Sequence, residues 1–304
     1  MDIKQLRALI AVGEQRSFSA AAKALLTVQS NVSTHVSRLE RELGVTLVDR
    51  ATTDLTPEGR LVVERARRIE AEFAALESDL AAARDVISGT VRIGVIGTTA
   101  RWLVPPLLNA LASSFPEVSV VILDATTSSL VLQLVEGQVD LAVVNTPVAD
   151  PEIAIEPLFD EDRMLVAPLG HPLAERGRVT VAELCEHPLL LPAEGTSFRT
   201  ELDADASDLG LKFNPQAEVD GMRLLASLAF SGFGAAVIPA SAAPGWIEGN
   251  WRRVPIDGLS LRSVGLARRR RALPSAAARA ASRMLREVVI AEAPDQAGVH
   301  PSQG

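Results

Sequence analysis

The sequence has a single cysteine, Cys185, in 304 residues. That excludes an intramolecular disulfide and any switch built on a pair of thiols. Tyrosine is absent and aromatic residues make up 4% of the chain, which weakens any function that needs base-stacking platforms. The four histidines, His35, His171, His187 and His300, are scattered and form no zinc spacing with the cysteine. No metal and no cofactor are therefore expected. No run of ~18 uncharged apolar residues occurs, so no membrane span is expected. The opening MDIKQLRALIAVGEQRS lacks the basic and apolar regions of a signal peptide, and a cytoplasmic location is expected. No nucleophile and base pair, metal set or phosphate-binding glycine loop appears, which speaks against an enzyme.

What is present is an ordinary folded composition, 47% apolar and 22% charged, at a length that suits two domains. The net charge of −8 argues by itself against a nucleic-acid partner. Its distribution argues the other way. Residues 1–68 carry 11 basic and 8 acidic side chains, residues 69–88 carry 1 and 5, and the remainder carries 18 and 25. The N-terminal segment is the basic part of an acidic chain, the asymmetry that separates a nucleic-acid module from its carrier.

Within that segment the apolar spacing predicts a winged helix-turn-helix over 1–58. Ile3, Leu6 and Ile10 share one face of a first helix. Ser17 caps a second with Phe18, Ala21, Ala22 and Leu25 inward, and Val32, Val36, Leu39 and Leu43 mark a third that stops at Gly44. The outer face of the third helix carries Gln29, Ser30, Ser33, Thr34, Ser37 and Arg38. Short or planar hydrogen-bonding side chains of this kind suit base edges and phosphates in a major groove. A wing is expected from Thr46–Arg50 paired with Asp54–Thr56, with Arg50 placed either for a phosphate or for a structural salt bridge.

The string FSAAAKALLTVQSNVSTHVSRLERELGVTLVDR, followed by TDLTPEGR, resembles the DNA-binding domain of the LysR-type transcriptional regulators. The match runs through Ser17-Phe18, Ala21-Ala22, Gln29, Ser33, Leu39-Glu40, Leu43-Gly44 and Arg50. It implies a helix-turn-helix over about 18–37 that meets an operator in double-stranded DNA through Ser17, Phe18, Gln29, Ser30, Asn31, Ser33, Thr34, His35, Ser37, Arg38 and Arg50. Two positions depart from the pattern. Val28 stands where the family usually has a capping Ser or Thr, and Thr34 where it often has a basic or long polar residue.

Thr56-Pro57 opens a long helix over 59–88. Val62, Ala66, Ile69, Phe73, Leu76, Leu80, Ala83 and Ile87 recur at alternating steps of four and three, a coiled-coil seam. Val62, Ile69, Phe73, Leu76 and Leu80 are the expected dimer contacts, and a homodimer or homotetramer is expected.

From 89 onward short apolar strands alternate with helices, which predicts α/β lobes with ligands at the strand ends. The resemblance continues through GTVRIGVIG, FPEVSV, GQVDLAVV, HPLLLP and FSGFGAAVIP, and implies a two-lobed, periplasmic-binding-protein-like (type 2) sensor domain over 89–304. Lobe 1 is expected at about 89–164 and 268–292, lobe 2 at about 165–267, and a tail at 293–304. The crossovers are expected near Leu165–Pro168 and Gly265–Arg268. Thr98, Thr99, Arg101, Thr127, Ser128, Asn145, Thr196, Ser197 and Phe198 are the expected effector contacts. Helix N-termini among them favour a small organic anion, with Arg101 or Arg199 assisting. A peroxide sensor of this family is excluded by the single cysteine. The run Arg268–Arg271 is read as structural, paired with Asp160, Glu161 and Asp162.

Overall fold

The computed structural model describes residues 1–84 and 86–302. Helix α1 (Ile3–Gln15) starts in a capping box, Asp2 accepting from the Gln5 N–H and the Gln5 side chain accepting from the Asp2 N–H, both at 2.9 Å. Ser17 caps α2 (Phe18–Ala24), and α3 (Gln29–Leu43) ends on Gly44 in the left-handed region, φ +70°. The three helices enclose Leu9, Val12, Ala21, Val32, Val36 and Leu39. At the start of α3, Val28 supplies no capping oxygen, and Thr27 Oγ1 instead accepts from Asn31 Nδ2 at 3.0 Å. Val28→Ser is therefore expected to stabilise this unit by about 1 kcal/mol. A melting temperature no higher than that of the parent chain would contradict it.

The wing is an antiparallel bridge between Val48 and Leu55. Thr56 Oγ1 then accepts from the Gly59 N–H at 2.9 Å to start α4 (Pro57–Ala82). A side chain at Gly59 would collide with the Leu47 carbonyl, so glycine here is what lets α4 lie against the wing. The helix ends at Ala82, which leaves Ala83 and Ile87 outside it. Val62 is half-buried and Ala66 buried in the winged-helix core beside Val63, so Val62 packs on its own domain. The exposed row is Ile69, Phe73, Leu76 and Leu80.

The rest of the chain forms two lobes. The chain runs β1 (Gly89–Val95), α5 (Gly97–Ser114), β2 (Val118–Asp124), α6 (Thr127–Val135), β3 (Leu141–Asn145) and β4 (Ile153–Glu161) in lobe 1. It then crosses into β5 (Arg163–Pro168), β6 (Val179–Thr180), α7 (Val181–Cys185), β7 (Pro188–Pro192), α8 (Ser197–Asp208), β8 (Asn214–Val219), α9 (Met222–Phe230), β9 (Ala235–Pro239) and β10 (Trp251–Asp257). It returns through β11 (Arg262–Arg269), α10 (Ala276–Glu292) and β12 (Val299–Pro301). The lobe 1 sheet has the order β12-β4-β11-β3-β1-β2 and the lobe 2 sheet β6-β10-β5-β9-β7-β8.

The crossovers lie at Asp162 and at 258–261, each a few residues before the positions expected. Both expected sites fall inside strands: Leu165–Pro168 is within β5 and Gly265–Arg268 within β11. The 293–304 segment is not wholly a tail, because β12 pairs with β4. The arginine run also differs from expectation. Arg270 donates to the carbonyls of Pro151 and Ile153, while Asp160, Glu161 and Asp162 bond to Ser263, Arg262 and His300.

Helix α4 docks on lobe 1. Arg68 Nε donates to the Val135 carbonyl at 2.8 Å, and Arg67 meets Glu136 at 3.4 Å. Buried Ser78 Oγ donates to the Ser88 carbonyl at 2.7 Å and accepts from the Ala277 N–H at 3.3 Å. No helix of the described residues is long and apolar enough to cross a membrane.

Candidate nucleic-acid interface and interlobe cleft

The 3.6-residue period of α3 buries Val32, Val36 and Leu39 and so turns the polar set outward. Gln29, Ser30, Asn31, Thr34 and Arg38 are exposed, with Ser33 and Ser37 half-buried beside them. Three other predicted contacts also have a place in the fold. Ser17 caps α2. Phe18 packs on the core beneath the Arg50 guanidinium, 5.0 Å from its ring centroid. His35 is half-buried, with Nδ1 sealed from solvent.

Arg50 resolves to a salt bridge. It donates to Glu40 Oε2 at 2.8 Å and Ser37 Oγ at 3.1 Å, while Glu40 Oε1 accepts the Leu47 and Val48 N–H groups. The pair fastens the wing to α3. Two apolar residues at the same end, missing from the predicted set, are Leu26 and Val28, 94% and 59% exposed. Leu26 has a positive φ of 53°, and its interruption of the polar and Ala-rich pattern is the only sequence signal for it.

Between the lobes, the end of α5 nearest the crossovers brings polar groups under cover. Thr98 and Thr99 lie in its first turn, 5% and 0% exposed. Arg262, the first residue of β11, donates to Glu161 Oε1 at 2.6 Å, to Thr98 Oγ1 at 3.2 Å and to Asn145 Oδ1. Glu161 Oε2 accepts the Ser241 N–H at 2.8 Å. Thr99 Oγ1, Trp102 Nε1, Ser241 Oγ and Arg262 Nε are buried without a protein partner. Thr127 Oγ1 accepts the Asn145 N–H at 3.1 Å, and Ser128 shares a hydrogen bond with Thr126, which is the cap of α6.

The remaining predicted contacts are less well placed for a ligand. Arg101 points to solvent. Thr196 caps α8 and Ser197 is exposed, but Phe198 is buried in the lobe 2 core with Arg163 stacked on it at 5.3 Å. Arg199 is occupied by Asp203, Glu218 and the Pro192 carbonyl. Arg163 is likewise held by Asp205 and Glu201; burial pulls its guanidinium below the ordinary value against the pull of those carboxylates. Among the described residues Arg163, Arg199 and Arg262 are thus each paired with a carboxylate of the same chain. Across its mouth, Arg223 of α9 pairs with Asp124 of β2 at 2.5 Å, passing over Gly97. Cys185 lies at the edge of the lobe 2 core, where burial pushes its thiol up.

Residues 84–289 match the model described as LysR substrate binding domain, and residues 3–60 match Bacterial regulatory helix-turn-helix protein, lysR family. The chain belongs to the LysR family of transcriptional regulators. A probable hydrogen peroxide-inducible genes activator of Mycobacterium leprae is 33% identical to this LysR-type chain over 302 residues, covering 95% of each. Among solved structures, a full-length OxyR variant from Pseudomonas aeruginosa superposes with a TM-score of 0.78 at 23% identity, covering 100% of this chain and 99% of that one. Full-length CbnR complexed with its target DNA gives 0.70 at 26% identity, covering 96% and 100%. Like these relatives, the chain is a DNA-binding regulator and not an enzyme.

Proposed function

We propose that this LysR-type regulator acts in the cytoplasm as a homodimer or higher homo-oligomer, reading an operator with α3 and responding to a small, uncharged polar effector between its lobes. The outward polar face of α3, with Arg38 free of any carboxylate partner among the described residues, supports the DNA reading. Gln29, Ser33 and Arg38 are its main base and phosphate contacts, with Leu26 and Val28 available to a thymine methyl.

The cleft departs from the organic anion expected from sequence. Arg262 and Arg199 are both paired with carboxylates, which leaves an anion only helix N-termini and hydroxyls and favours an uncharged ligand. A neutral molecule that both donates and accepts hydrogen bonds matches the hydroxyls of Thr98, Thr99 and Thr127. The chain's likeness to hydrogen peroxide-inducible genes activators makes hydrogen peroxide the first such molecule to test, against the exclusion drawn from the single cysteine. Cys185 does not support a thiol route, because burial raises its pKa and so disfavours the thiolate.

The test is a footprint and gel-shift series on DNA flanking the gene. Arg38→Ala is expected to weaken binding uniformly and lower the salt slope by about 1, whereas Ser33→Ala relaxes sequence preference. Peroxide is expected to alter the footprint of both the parent and Cys185→Ser. Salt-independent DNA binding would overturn the regulator reading. A peroxide response lost in Cys185→Ser would overturn the thiol-free reading.

A further inference from the structure

A second cavity lies far from the interlobe cleft, where α1, α4 and lobe 1 meet. Its volume is about 420 Å³, within the range of small-molecule sites. One wall is apolar: Ile10 of α1, Ala71 and Ala74 of α4, and Val121 and Leu123 of β2. The other is charged. Two of its arginines are already spoken for, Arg7 by Glu70 at 2.7 Å and Arg67 by Glu14 at 3.1 Å.

Three further arginines, Arg92, Arg268 and Arg269, line the cavity beside the carboxylates of Glu72 and Asp140, and Glu152 also acts on Arg269. Among the described residues none of the three forms an ion pair or donates a side-chain hydrogen bond. Arg269 is half-buried, and burial draws its guanidinium below the ordinary value. A partly desolvated cation without a partner is costly and is stabilised by a bound counter-anion. Asp140 is anchored on the Arg92 backbone N–H at 2.7 Å and forms no ion pair among the described residues. Over the whole lining, five arginines outnumber four carboxylates by one, beside an apolar surface.

The seam residues Ile69, Phe73, Leu76 and Leu80 lie on the opposite side of α4 from Ala71, Ala74 and Ser78, given 100° per residue. Pairing of two α4 helices along that seam leaves the cavity uncovered.

We propose that this cavity binds a small organic monoanion with an apolar body, its carboxylate on Arg268 and Arg269 and its body against Ala71, Ala74 and Val121. Such a ligand touches the DNA-binding unit, the linker helix and lobe 1 at once, so it clamps α4 to lobe 1 at a point independent of the interlobe cleft.

Calorimetric titration of the full-length protein tests this with hexanoate and phenylacetate, their neutral counterparts 1-hexanol and 2-phenylethanol, and inorganic phosphate. The two carboxylates are expected to saturate at one site per chain, and the alcohols and phosphate to bind far more weakly. Arg269→Gln is expected to weaken the carboxylates about tenfold, and exposed Arg268→Gln to weaken them as well without risk to the fold. Thr99→Val, in the cleft, is expected to leave them unchanged. The proposal is overturned if neither carboxylate saturates, if both arginine variants bind like the parent, if phosphate binds as well as hexanoate, or if Thr99→Val abolishes binding. The first three failures leave the DNA and effector readings where they stand, whereas loss in Thr99→Val would move the carboxylate into the cleft and overturn the uncharged-effector reading as well.

Discussion

Glu161→Ala is expected to destabilise the two-lobed domain by about 3–5 kcal/mol. Glu161 is the last residue of β4 and Arg262 the first of β11, so their ion pair sits directly beside both crossovers. The Glu161 side chain is 0% exposed and that of Arg262 7%. Removing the carboxylate leaves a buried guanidinium with only neutral acceptors, Thr98 and Asn145, and strands the Ser241 N–H. An exposed pair gives the contrast: Arg286 and Glu156 meet at 2.6 Å with side chains 41% and 48% exposed. Glu156→Ala is expected to cost under about 1 kcal/mol.

The measurement is straightforward because all three tryptophans, Trp102, Trp246 and Trp251, belong to the two lobes. Urea unfolding followed by tryptophan fluorescence therefore reports this domain and not the winged helix. Glu161→Leu combined with Arg262→Met should recover most of the loss, since replacing both ions with apolar groups removes the desolvation cost along with the attraction. A single variant that unfolds within about 1 kcal/mol of the parent would show that water reaches the pair.

The same pair shows where sequence reading reaches its limit. The winged helix was legible because its information is local: Val32, Val36 and Leu39 at helical steps, Ser17 before Phe18, Gly44 after Leu43. The strand and helix alternation of lobe 1 was legible for the same reason. Glu161 and Arg262 are 101 residues apart, and no periodicity connects them. The crossovers were displaced because β5 and β11 are apolar runs that give no sign of which sheet they enter. The turns that mark them, at Asp162 and 258–261, are polar stretches that resemble any loop. Phe198 was placed in the cleft for its position in the chain, yet it shares a helical face with Leu202 and Ala206, and all three are buried in lobe 2. The charge balance of the cleft was equally hidden, because Arg199 gains Glu218 only when β8 pairs with β7.

The second large effect is expected at α4. Phe73→Glu with Leu76→Glu is expected to convert the protein to a monomer and to lower operator affinity by about 10²–10⁴-fold, the gain that linking two half-site contacts confers. Ile69, Phe73, Leu76 and Leu80 are 38%, 49%, 56% and 59% exposed on one helix face, and their spacing of four, three and four residues is the seam of a two-helix coiled coil. Two carboxylates per helix at the centre of that seam would be buried unpaired against their symmetry mates. The protomer itself should keep its fold, because both side chains are half or more exposed in it. Val62→Ala supplies the opposite control. Val62 packs into the winged-helix core, so its truncation is expected to lower the stability of that unit by about 1 kcal/mol and leave the oligomer intact. Sedimentation velocity read beside gel shifts on one and two half-sites separates the outcomes. A double variant that remains dimeric, or a Val62→Ala protein that dissociates, would place the dimer contact on the DNA-proximal turns of α4 instead of its distal half.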